Sequence, residues 1–203
     1  MLKLNDWIFT YDVLFSDDFK PLVEFLARGF LHVQIYLITK RSDDNGKTVT
    51  LKLTYFGSVE YWMGIHLRNN LLKKTSGKEL IQELPLEEKD NWHIVVLNND
   101  EVVGTLMLSR KSKKMAQIEQ VTICESMQGQ GMGQKLIAFA EDLAQELRFE
   151  QVFLTGRESA WRFYEKLGYQ TNHKQYKIGR VQIKEFTKVL EIKEKVKEME
   201  TNG

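Results

Sequence analysis

The stretch that most constrains this chain runs from Ile118 to Leu147. Ile118 to Cys124 has the β-branched composition of a strand, and Leu136, Ile137, Ala140, Leu143, Ala144 and Leu147 form the apolar stripe of an amphipathic helix. Between them lies Glu125-Ser126-Met127-Gln128-Gly129-Gln130-Gly131-Met132-Gly133. Alternating glycines let several backbone N–H groups face one side with no Cβ in the way. They lead into a helix N-terminus, whose unpaired N–H groups and positive dipole end favour an anion. A diphosphate suits such a cradle. The spacing is not the G-x-G-x-x-G of a dinucleotide site, and no Gly-Lys-Ser/Thr follows as in a Walker loop.

The flanking chain supplies short elements in quick alternation. Trp7 to Leu14 reads as a strand, and Leu22, Phe25, Leu26 and Phe30 as a helix with Gly29 as its stop. Val33 to Thr39 and Val49 to Tyr55 alternate as strands around Ser42-Asp43-Asp44-Asn45-Gly46, which predicts a hairpin. A helix is expected over Val59 to Lys73, capped by Ser58 and anchored by Trp62, Ile65 and Leu72. Ser76 with Glu79 reads as a capping box opening a second short helix that Pro85 ends. Glu87-Glu88-Lys89-Asp90 reads as a solvated loop. Trp92 to Leu97 and Val102 to Leu108 are strands around the Asn98-Asn99-Asp100 turn, followed by a basic connection with Lys111, Lys113 and Lys114. After the amphipathic helix come a short strand at Val152 to Leu154, a helix from Ala160 to Leu167 ended by Gly168, and two strands finishing near Leu190. Glu191 to Glu200 is charged and helix-prone.

Composition narrows the function classes. The 203 residues hold two prolines, one cysteine and a formal net charge of +1, with 42% hydrophobic and 28% charged side chains. That is ordinary globular composition, enough to offset ordering entropy. Near-neutral charge gives no global case for a nucleic-acid partner. A single Cys124 excludes an intrachain disulfide, and no histidine pair has metal-ligand spacing, so no metal is expected. The richest apolar run, Phe25 to Ile38, is broken by Arg28, His32 and Gln34, so no membrane span is expected. Asp6 and Asp12 in an N-terminus without an apolar core argue against a signal peptide, and the expected location is cytoplasmic.

Motif and order together carry a family resemblance. Gln128-x-x-Gly131-x-Gly133 resembles the acetyl-CoA pyrophosphate motif R/Q-x-x-G-x-G/A of the GNAT acetyltransferases. Arg157 to Tyr169 resembles the family's A-x-x-FY-x-K-x-GF/Y segment, although Arg157 stands where Asn is commoner and Gly156 where a subset of relatives has alanine. His93-Ile-Val-Val, Glu101-Val-Val-Gly-Thr-Leu and Phe186-Thr-Lys-Val-Leu are similar to its strands, so the likeness spans about residues 50 to 190. It implies an α/β (α+β) GNAT acyl-CoA N-acyltransferase fold: a central mixed, mostly antiparallel sheet with helices on both faces. Here an N-terminal β-α-β extension, residues 1–46, would pack on the sheet edge, before the acetyltransferase domain at 47–190 and a charged tail at 191–203. Forty-six residues are too few for an independent core, since isolated domains below ~40 to 60 residues are marginal. The new edge strand would face outward, or be covered in a homodimer.

The resemblance also implies roles. A bulged fourth strand splays from the fifth, and acetyl-CoA lies in the gap as acyl donor. The backbone N–H of Ile123 would hold the thioester carbonyl. Backbone groups of Gln128, Gly129, Gln130, Gly131, Met132, Gly133 and Gln134 would hold the diphosphate. Tyr164 would protonate the departing thiolate, and Glu119 would take the proton from the amine, directly or through water. The other reading of Tyr164 is packing, and of Glu119 a solvent-facing carboxylate. Cys124 reads as a buried small residue, His93 as half-buried, and Arg157 as pairing with a carboxylate across the sheet or reaching the CoA chain. The acceptor pocket is expected from Val59 to Leu84 and Asn172 to Val181, offering Tyr61, Trp62, Arg68 and Tyr176. The expected activity is acetyl transfer to a primary amine of a small molecule or peptide. A non-catalytic acyl-CoA sensor, or a module docking a partner, is the alternative.

Overall fold

The computed structural model describes residues 38–42 and 48–191, and every structural statement concerns those. Eight strands form one sheet in the order β1-β2-β3-β4-β5-β6-β8-β7. They are β1 (Ile38–Ser42), β2 (Thr48–Thr54), β3 (Trp92–Asn98), β4 (Glu101–Arg110), β5 (Met115–Ile123), β6 (Gln151–Arg157), β7 (Gln170–Ile178) and β8 (Val181–Val189). All neighbours are antiparallel except β5 and β6. That parallel pair follows from its connection, the long helix α2 (Met132–Glu146), because parallel strands need a crossover.

Local chemistry explains most element ends. Helix α1 (Val59–Arg68) starts where the Ser58 hydroxyl accepts the Tyr61 N–H at 3.1 Å. The β3–β4 hairpin turns on Asn99 and Asp100, at φ 50° and 64°, with Asn98 paired to Glu101. Two consecutive positive φ values define a type I′ turn, which matches strand twist. The short helix α3 (Trp161–Lys166) ends before Gly168, at φ 83°.

The core has two layers. On one face of the sheet, Leu136, Ile137, Phe139, Ala140, Leu143 and Ala144 of α2 pack with Leu51, Ile94, Leu106, Leu108 and Ile118. Fully burying one such Leu, Ile or Phe is worth roughly 1.5–3 kcal/mol, and truncating Phe139 to Ala would cost about 3–5. On the other face α1 lies across β3, β4 and β5. There Gly64 approaches Thr105 so closely that a Cβ would stand 3.1 Å from its hydroxyl. Sandwiched this way, β4 is buried continuously from Val102 to Ser109.

Several expectations need correction. No helix follows Ser76. The α1 chain continues through a π-turn (Asn69–Lys73) and a last α-turn (Lys74–Ser76), and Gly77 closes it at φ 67°. The Ser76 hydroxyl already donates to the Leu72 and Lys73 carbonyls, at 2.6 and 3.1 Å, so it caps nothing downstream. The Asn69 side chain bonds both the N–H and the carbonyl of Ile81, at 2.9 Å each, and holds that segment out of helix. Between Gly77 and β3 the one regular turn is a 3₁₀ segment, Leu86–Glu88. The first hairpin strand is β1 at Ile38–Ser42, pairing Ile38 with Lys52 through Ser42 with Thr48. The expected elements at 7–14 and 22–30, the strand portion before Ile38, the 43–47 turn and the terminal helix lie outside the described residues.

Candidate active site

The site begins with a fault in the sheet. Against β4, Thr105 pairs with Thr122 but Met107 pairs with Glu119, so Gln120 and Val121 both stand opposite Leu106. This is a β-bulge, and Gln120 carries its strain at φ 58°. Beyond it β5 leaves β6. The two are paired only from Met115–Ile118 to Gln151–Leu154, and Glu119–Ile123 face no ladder partner on β6. The Cys124 N–H donates to the Val103 carbonyl on β4 at 2.8 Å. Successive strand groups alternate sides, so the Ile123 N–H and carbonyl turn toward the gap. The Gln128 side chain takes that carbonyl at 2.9 Å.

At the end of β5 the glycine loop reaches α2. Gly129 and Gly131 both sit at φ 73°, a conformation L side chains rarely adopt. A Cβ built on Gly129 meets nothing within 4 Å, so that side of the loop is open. Helix α2 has no side-chain cap, which leaves its first N–H groups, from Met132 to Gln134, without partners in the helix. The Gln128 N–H is already given to the Glu125 carbonyl at 3.3 Å, and the Gln130 side chain to the Ser126 carbonyl at 2.7 Å. Met132 buries its side chain and offers backbone alone. Gly133 meets a packing demand as well: a Cβ there would stand 3.2 Å from the Phe163 ring.

On the α1 side of the gap lies a cavity of about 210 Å³. Glu119, Gln120 and Val121 of β5, Thr155 and Arg157 of β6, and Tyr164 of α3 line it, with the end of the α1 chain and the β7–β8 turn as its far wall. Glu119 and Tyr164 are therefore brought together, while residues 128–134 stand apart from this cavity. The Tyr164 ring lies against Gly156, where a Cβ would come within 2.8 Å of Cε2. This explains the glycine that replaces alanine. Burial pushes the Tyr164 phenol up to about 12, so it is protonated at neutral pH. Glu119 accepts a very short hydrogen bond from Ser109 and pairs with Lys111 at 3.0 Å, both on Oε1. Oε2 has no protein partner among the described residues.

Arg157 departs from the expected pairing with a carboxylate across the sheet. Its guanidinium donates to the Leu71 and Leu72 carbonyls at 3.3 and 2.5 Å and to the Thr75 hydroxyl at 2.6 Å. A cation on carbonyls near a helix C-terminus also complements the helix dipole. It thereby ties the α1 chain to β6 across the cavity mouth.

Next to the site is a polar cluster that sequence reasoning missed. Glu88, expected in a solvated loop, is buried and accepts both Arg68 Nη atoms, at 2.8 and 2.5 Å, and the Tyr61 hydroxyl at 2.8 Å. His93 is buried rather than half-buried, with Nε2 2.9 Å from the Glu88 carbonyl oxygen. Burial alone would push the Glu88 carboxyl up, but Arg68 and Tyr61 outweigh it and hold it below its ordinary value. Tyr61 and Arg68 are thus committed to the core, and neither they nor Trp62 or Tyr176 line the cavity. One signal was available: Tyr61, Ile65 and Arg68 share a helical face, and a cation on an apolar stripe demands a buried partner. Cys124 is half-buried rather than buried, with Sγ 3.3 Å from the Ser126 hydroxyl. Among the described residues no cluster of three or more His, Cys, Asp or Glu is placed to hold a metal, and no helix is long and apolar enough to cross a membrane.

The mixed eight-stranded sheet, with its splayed β5 and the uncapped α2, matches the fold of acyl-CoA N-acyltransferases. Residues 61–169, more than half of the sequence, match the acetyltransferase (GNAT) family, and the chain belongs to it. Solved structures share the fold at low identity. Escherichia coli ElaA is 19% identical with a TM-score of 0.58, over 68% of this chain and 98% of that one. An acyl-CoA N-acyltransferase from Pseudomonas aeruginosa is 15% identical at 0.60, over 70% and 99%. Ard1 from Thermoplasma volcanium is 19% identical at 0.58, over 70% and 97%.

Proposed function

We propose that this protein transfers an acetyl group from acetyl-CoA directly to a primary amine of a small molecule or peptide. The observation that carries the reading is the gap itself: Glu119–Ile123 without a strand partner, opening between an uncapped glycine loop and a cavity that holds Glu119 and Tyr164. The residues fit the donor. Unpaired N–H groups from Gly129 to Gln134 suit a diphosphate, and the Ile123 N–H suits a thioester carbonyl whose oxygen gains charge during attack. Acetyl-CoA supplies the activated thioester. Glu119 Oε2 takes a proton from the amine, while Ser109 and Lys111 keep the carboxylate in position through Oε1. Tyr164, kept protonated by burial, gives its proton to the departing sulfur. The 1–46 extension serves the same unit by continuing the sheet beyond β2, as the β1–β2 pairing supports.

Thiol release from acetyl-CoA across an amine panel tests the activity, and binding without turnover would favour a sensor. Donor binding is tested by Gly131→Glu, which sets a carboxylate against the diphosphate at a cost of several kcal/mol. Gly131→Asn is the control, since asparagine tolerates positive φ. Calorimetry should show at least ~100-fold weaker acetyl-CoA binding for the Glu variant alone, with an intact fold by circular dichroism. Equal affinities in both variants and wild type would overturn the donor site.

A further inference from the structure

Charge in the β5–β6 cavity is divided between its walls. On the α1 side stand Lys73 and Lys78, and neither ammonium has an ion pair or hydrogen bond among the described residues. Their neighbours are committed elsewhere: Arg157 to helix carbonyls, Arg68 and Glu88 to each other. On the β5 side stands Glu119. The tip of the β7–β8 turn packs on the chain between the two lysines, where a Cβ on Gly179 would meet the Ser76 carbonyl at 2.6 Å. Partial burial, then the charges of Lys78 and Arg68, hold the Lys73 ammonium below its ordinary value, so added negative charge would be welcome there. The lysines do not serve the diphosphate, because no residue from 128 to 134 borders this cavity.

We infer that the acceptor is a small amine that also carries an anionic group, a carboxylate or a phosphate, bound by Lys73 and Lys78 while its amine faces Glu119. This rests on the transferase reading above and names the substrate class of the same site. Size agrees, since about 210 Å³ is below the ~300–1,000 Å³ of pockets for drug-sized ligands and admits a body the size of an amino acid. The polarity is fixed by the walls: a cationic amine turned toward the lysines would be repelled there and would leave Glu119 without its proton donor.

Matched pairs test it by calorimetry on the full chain. Glycine, β-alanine and 4-aminobutyrate are titrated against their carboxamides, and phosphoethanolamine against ethanolamine. At least one anionic member should bind ~10-fold or more tightly than its neutral partner, and the Lys73→Gln/Lys78→Gln variant should lose that preference. The favoured arm tells carboxylate from phosphate. If the double variant fails to fold, Lys78→Gln, at an exposed position, carries the test. No preference in any pair, or a preference that survives in the variant, overturns the inference. A parallel acetyl-CoA titration separates the two claims: a chain that binds no acetyl-CoA yet keeps a lysine-dependent preference loses only the transferase reading.

Discussion

Glu88 and Glu119 lie on two sides of the same helix-covered face of the sheet, and their surroundings differ in kind. Around Glu88 the charges are closed on one another: Arg68 fills both oxygens, Tyr61 adds a third bond, and His93 holds the backbone. Around Glu119 the set is left open. One oxygen is held by Ser109 and Lys111, and Lys73 and Lys78, which line the same cavity, have no ion pair among the described residues. A buried charge must be compensated somewhere. Compensation inside the chain makes a brace, whereas charge left over in a cavity makes a place for a ligand. The Glu88 cluster anchors α1 to the β3 entry, and so sets where Lys73, at the end of that helical chain, and Lys78, just past its Gly77 stop, stand.

The sharpest way to break this comparison is Glu88→Ala. Arg68 would be left as a buried, unpaired cation, at a cost of about 3–5 kcal/mol in urea unfolding. A loss under about 1 kcal/mol would place Glu88 among surface ion pairs. Tyr164→Phe is the opposite case. With its phenol in the cavity, kcat should fall ~10²-fold, equivalent to about 2.7 kcal/mol of barrier, while urea stability stays within about 1 kcal/mol. Unchanged kcat with lost stability would move Tyr164 to the packing class.

The smallest effect is pH dependence. Burial holds His93 below its ordinary value of 6.5, and Arg68 holds Glu88 below 4.5. In both windows the unfolded chain binds more protons than the folded one. The stabilisation is complete above pH 6.5 for His93 and above 4.5 for Glu88, and is lost as pH falls through each folded value. The unfolding free energy from urea titration, and with it the urea midpoint, should therefore drop between pH 7.5 and 5.5, the free energy by at most about 1.4 kcal/mol per pH unit from His93. His93→Gln should flatten that first drop. A midpoint that holds steady in the wild type would remove His93 from the brace.

How far the sequence could be read depended on the range of each signal. The Ser58 cap, the Asn99-Asp100 turn, the Gly168 stop and the passage from β5 through alternating glycines into α2 were all legible. Each works within a few residues, through capping, turn chemistry or periodicity, so the residue order carries it. The second helix failed as an expectation because Asn69 reaches twelve positions along to Ile81, and no local pattern announces such a clamp.

The residue order alone thus determined the strands and helices from β2 to β8 apart from the segment after Ser76, the glycine loop between β5 and α2, and the family whose motifs it resembles. Only the tertiary structure decided which charges are spent and which remain. Arg157 found helix carbonyls 85 and 86 residues away, Glu88 found Arg68 across a loop, and Lys73 and Lys78 came to line one cavity with Glu119 beside a two-for-one bulge. Pairing of charges depends on distance and burial, and both are set by how the elements pack against one another.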